Sequence, residues 1–89
     1  MGDPVSWFVV EPGWEVVDAE GKRIGHVKEV LGDTDKDIFS GIAVSAGLLK
    51  PTKHVPAEAV ERIEEGLIRL AIPRERFEHL EEHDEAATA

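Results

Sequence analysis

Residues Gly13–Asp33, GWEVVDAEGKRIGHVKEVLGD, decide the fold class. Two β-prone segments, Trp14–Val17 and Ile24–Leu31, flank a charged turn, Asp18-Ala-Glu-Gly-Lys-Arg23, that holds Gly21. Glycine reaches positive φ without steric cost, so it is the expected turn residue between paired strands. The pattern predicts a β-hairpin and carries no signature of a chemical activity.

On the N-terminal side, Val5-Ser-Trp-Phe-Val-Val10 is apolar and β-prone and stops at Pro12-Gly13. It predicts an extended segment over residues 1–12, a candidate interface strand. On the C-terminal side, Asp33-Thr-Asp-Lys-Asp37 reads as a polar loop. Ile38–Ser45 reads as a third strand, with Ile38, Ile42 and Val44 on its inner face. Gly47-Leu-Leu-Lys-Pro51 is a turn or loop. Lys53–Pro56 is a short extended piece, which the proline places at an edge or a strand end. Ala57–Val60 suits one helical turn opened by Pro56. Glu61–Glu64 and Leu67–Ile72 flank a second hairpin signal, Glu65-Gly66. Pro73 sits at the first position of a helix over Arg74–His83, whose apolar stripe is Phe77 and Leu80, and Asp84–Ala89 reads as a frayed tail. The sum is an all-β fold, a closed or nearly closed small barrel of about six strands with a C-terminal α-helix. The barrel occupies residues 13–72, and the helix with its acidic tail occupies 73–89.

The order of these residues resembles a known family. A Val-Val-Asp strand and the Gly21 turn precede Ile24-Gly-His-Val27 and a strand running to Leu31. An acidic loop then leads to Phe39-Ser-Gly-Ile-Ala-Val44, Gly47-Leu-Leu49, Val55-Pro-Ala57 and Val60. This run is similar to the PRC-barrel domain of the reaction-centre H subunit and of a ribosome maturation factor. It looks closest to short, free-standing members. The resemblance implies a compact β-barrel used as an adaptor or assembly module through contacts with proteins. It brings no catalytic residues with it. Neither the second domain of the ribosome-associated members nor the membrane helix of the reaction-centre members is visible in this sequence, so neither role is expected.

Composition narrows the function classes. A chain of 89 residues makes one small domain, and domains of this size gain stability by pairing, so a homodimer is expected. The absence of cysteine excludes disulfides and thiolate metal sites. No signal-peptide pattern opens the chain, and its apolar runs fall short of the roughly 20 residues of a membrane helix, so a soluble cytoplasmic protein is expected. Ten basic residues against 19 acidic ones give a net charge of −9, which disfavours nucleic acid and anionic membranes as partners. The close basic pairs, Lys22 with Arg23 and Lys50 with Lys53, have no neighbouring aromatic suited to stacking on bases.

Several constellations compete as functional sites. Asp33, Asp35 and Asp37 have the spacing with which calcium loops begin, but Ile38 and Val44 stand where glycine and glutamate are required. His79 and His83 are four apart and would share a helical face, with Glu78 or Glu82 nearby, as weak candidates for a metal. His26 and His54 are expected on the surface. No nucleophile sits in an elbow, and no glycine-rich loop opens a helix after a strand. Trp7, Phe8 and Trp14 gather three large rings near the start of a chain with five aromatics and suit a partner-binding surface. Leu48 and Leu49, adjacent in a loop, form a second candidate contact. The resulting expectation is a non-enzymatic, self-associating interaction module that uses no cofactor. The alternatives are a ligand or metal sensor built on loop 33–37 or the barrel mouth, and an RNA-associated accessory of ribosome maturation.

Overall fold

The computed structural model describes residues 6–33, 35–47 and 50–82. Six strands form one sheet: β1 (Glu15–Val17), β2 (Arg23–Asp33), β3 (Ile38–Ser45), β4 (Thr52–Pro56), β5 (Val60–Glu64) and β6 (Leu67–Leu70). A short helix, α1 (Arg74–Glu78), follows, and 3-10 turns occupy Trp7–Val9 and Ala57–Ala59. β1 to β4 run as an antiparallel meander. β5 and β6 form a hairpin whose second strand lies parallel to β1, giving the order β4-β3-β2-β1-β6-β5. The all-β class, the Gly21 hairpin and the Glu65-Gly66 hairpin are therefore present as read, with Gly21 and Gly66 at φ of 85° and 80°.

The outermost strands β4 and β5 do not pair with each other, so the rolled sheet keeps an open seam. Pro56 ends β4 without an N–H to offer, and the Ala57–Ala59 turn carries the chain across the seam. The Ala59 carbonyl accepts the Ala71 N–H at 2.7 Å, which holds that turn against the end of β6. Both free edges are protected. On β4 the His54 N–H donates to the Glu81 carbonyl at 2.8 Å, and Lys53 forms a bridge with Glu82. β5 presents Glu61 and Arg62 and is distorted by a bulge between Val60 and Arg62.

The core lies inside this roll. Val16, Ile42, Val44, Val55, Ile68 and Leu70 are fully buried, with Ile24 and Val27 beside them, and Phe77 of α1 closes one end. Full burial of such aliphatic side chains contributes about 1.5–3 kcal/mol each.

Three expectations need correction. Ile38 was expected on the inner face of the third strand, yet it is exposed, and Phe39 packs on the core instead. The cause is a β-bulge. Leu31 pairs with Gly41 and Gly32 with Phe39, so Ser40 is an extra residue and the alternation reverses across it. The N-terminal segment is not a strand at Trp7–Val9 but a 3-10 turn, because the Ser6 side chain and carbonyl take the N–H groups of Phe8 and Val9. Finally, α1 stops at Glu78 rather than reaching His83, since residues 81 and 82 gain backbone pairing along β4 instead.

Gly41 marks one of the tight contacts between strands. Its φ is 152°, and a Cβ there would collide with the Val55 carbonyl of β4. Gly41→Ala is expected to lower stability by about 2 kcal/mol or more, whereas Ser40→Ala on the neighbouring bulge stays within about 0.5 kcal/mol. Urea unfolding midpoints of the two variants check this.

Candidate functional site

Sequence-local bonds build an aromatic platform at the N-terminal turn. The Phe8 N–H donates to Ser6 Oγ at 3.2 Å, and the Val9 and Val10 N–H groups donate to the carbonyls of Ser6 and Trp7 at 3.1 and 3.2 Å. The tight winding brings the Trp7 and Phe8 rings into a stack, with centroids 4.5 Å apart and planes 22° apart. Trp7 also stacks on Phe39 of β3, centroid to centroid 5.4 Å, and its Nε1–H donates to Asp37 Oδ1 at 3.1 Å. The tip of the indole lies over Gly32, where a side chain would crowd it. Val10, just beyond the turn, is buried in the core cluster. The turn is thus fastened to the far end of the β2–β3 hairpin. Phe8 (49% exposed), Val9 (50%) and Ile38 (50%) are the large hydrophobic residues left exposed among the described residues. All three belong to this turn or to the hairpin end beneath it. Gathered exposed apolar surface of this kind marks an interaction site.

The sheet order, its rolled shape and the glycine close contacts are accompanied by a match of residues 13–77 to the PRC-barrel domain. The chain belongs to the PRC-barrel family. PRC-barrel domains are protein-interaction modules and are generally non-catalytic. No curated protein is similar enough to the chain to match it. The match begins at Gly13, so this PRC-barrel protein carries its Trp7–Val9 platform outside the family's own segment. No helix among the described residues is long and apolar enough to cross a membrane.

The other residues singled out from sequence fall in different places on the PRC-barrel. Trp14 is half-buried against the core, and its carbonyl accepts the Val27 N–H at 2.8 Å, so it extends the β1–β2 pairing. It has no ring contact with Trp7 or Phe8 among the described residues. Asp33 Oδ1 accepts the Asp35 N–H at 3.0 Å, which makes a local turn, while Asp37, at φ 52°, receives the Trp7 indole. His79 caps the C-terminus of α1 and is exposed, and the helical face it was to share with His83 is not formed. His83, Leu48 and Leu49 lie outside the described residues. Among the described residues, no three His, Asp or Glu groups come together as a metal site.

Val9, Ile38 and Phe39 were missed as members of the platform. The readable signal was Ser40, a polar residue placed where an uninterrupted strand would have pointed inward.

One buried carboxylate explains how the platform's opposite number, the α1 end of the barrel, is held. Asp18 is 1% exposed. Its Oδ1 accepts the N–H groups of Glu20 and Lys22 at 2.9 and 2.8 Å, and its Oδ2 accepts the Arg74 N–H at 3.3 Å. Asp18 therefore shapes the β1–β2 turn and caps α1, whose own N-cap, Pro73, has no side-chain acceptor. Burial pushes the Asp18 carboxyl up, but those three N–H groups and the Lys22 charge outweigh it and hold it below its ordinary 3.8. A carboxyl depressed by folding contributes stability above its unfolded value and loses it as pH falls through the folded value. Asp18→Asn is thus expected to be less stable than the parent at neutral pH, with the gap narrowing below about pH 4. Thermal unfolding of both proteins across that range checks the sign.

Proposed function

We propose that this PRC-barrel protein is a non-catalytic interaction module that pairs with a second copy of itself through the Trp7–Val9 turn and Ile38. The observation that carries this reading is the concentration of exposed large hydrophobics on one aromatic turn that is rigidly fastened to the barrel. Stacking fixes Trp7 and Phe8 before any partner arrives, so little side-chain entropy remains to be lost on docking. A small domain with an apolar patch gains most by covering it, and a two-fold pairing lets the same patch serve on both sides.

Charge opposes this association, because each copy carries −9. The attraction must be apolar, and screening must help it. Self-association is therefore expected to strengthen as salt is raised from low to physiological concentration. Deletion of residues 1–11, or the double change Phe8→Ser with Val9→Ser, is expected to leave a monomer at low micromolar concentration. Sedimentation velocity distinguishes the cases. An unchanged oligomeric mass in the double variant would remove the platform from the interface.

A further inference from the structure

The opposite end of the β2–β3 ladder holds a second feature of different chemistry. The start of β2, the end of β3 and the residues leading into β4 line a cleft of about 560 Å³. A second hollow of about 280 Å³ shares Ile24, Ala46 and Lys50 with it and continues over Lys53, Arg74 and Phe77. Arg23, Lys28, Lys50, Lys53 and Arg74 line the pair, which is half of the ten Lys and Arg in the chain. Among the described residues, Glu78 is the one acid that lines either hollow, and its carboxylate lies 3.7 Å from Arg74. In a chain of net charge −9, half of the cationic side chains line one continuous concave surface.

Among the described residues, no acid lines the larger cleft. Arg23 meets Glu15 only loosely, at 3.8 Å between two well-exposed side chains. Its Nη2 lies 2.6 Å from His26 Nε2, and because a guanidinium only donates, the histidine nitrogen accepts and neutralises nothing. Lys50, at the junction of the hollows, makes no ion pair among the described residues. Ile24 and Ala46 add an apolar floor, and Ser45 and Thr52 add hydroxyls. Concave walls, an apolar floor and a few convergent charges define a small-molecule site rather than a bare ion site.

We propose that this cleft binds a small organic anion, a phosphorylated or carboxylated metabolite, with Arg23 and Lys50 on its charged group and Ile24 and Ala46 against its carbon skeleton. The site is independent of the aromatic platform and lies at the other end of β2.

Titration calorimetry of the full chain with glucose 6-phosphate, citrate and inorganic phosphate, in about 150 mM salt to screen loose charge effects, tests it. One of the two organic probes is expected to bind more tightly than inorganic phosphate, and which one does so separates phosphate from carboxylate chemistry. Arg23→Gln and Lys50→Gln are each expected to weaken that binding about tenfold, the loss of one charge-assisted hydrogen bond. Lys36→Gln, on the distant hairpin, is expected to leave it unchanged, and thermal unfolding confirms that all three variants fold. Absence of heat with every probe up to about 10 mM, or equal losses in all three variants, overturns the proposal.

Discussion

Three residues, Ala57–Ala59, join the two outermost strands of a six-stranded sheet, and the rest of the structure depends on that short link. From Pro56 to Val60 the chain spans at most about 14 Å. Laid flat, six strands would separate their edges by about 24 Å. The sheet must therefore roll until its edges approach, and the apolar faces of Val16, Ile42, Val44, Val55, Ile68 and Leu70 meet inside it. Where β3 pairs with β4 the backbones approach so closely that a Cβ at position 41 would meet the Val55 carbonyl.

Much of this was legible in the residues. Gly21 and Gly66 announced the two hairpins, Pro56 announced the end of β4, and Leu67–Ile72 announced the strand that follows Gly66. What was not legible is what requires contact between distant segments. Ser40 forms a bulge only because β2 and β3 shift register, and that shift decides which of Ile38 and Phe39 faces water. The sequence from Arg74 to His83 suits a helix locally, yet an open strand edge waits in β4, and backbone pairing at 81 and 82 ends the helix early. The Trp7–Val9 segment has strand propensity, but a serine side chain and a tryptophan fastened to Asp37 wind it into a turn. Propensity lost in each case to a specific hydrogen-bonded alternative.

Site residues divide in the same way. Trp7 and Phe8 could be chosen from composition, whereas Val9, Ile38 and Phe39 joined them only through the fold. The basic pairs Lys22–Arg23 and Lys50–Lys53 were visible as pairs, but the meeting of Arg23 with Lys50 at one cleft needed β2 and β3 to lie side by side. The platform sits over Gly32 and the cleft opens from Arg23, so the two surfaces lie toward opposite ends of the eleven-residue β2. The proposed apolar contact and the proposed anion cleft therefore share no residue.

The parallel pairing of β1 with β6 has a kinetic meaning. Glu15 lies beside Leu67 and Val16 beside Ile68, so the central seam joins the beginning of the barrel to nearly its end. Loop-closure entropy must be met before that seam forms, and topologies of this kind fold slowly for their size. A nascent chain that has emerged only through β4 has the meander but lacks the neighbour on which β1 rests. Its apolar face stays uncovered until Leu70 arrives. The barrel is thus completed only once β6 has emerged, and the net charge of −9 adds a mutual repulsion that disfavours contact between chains still lacking it.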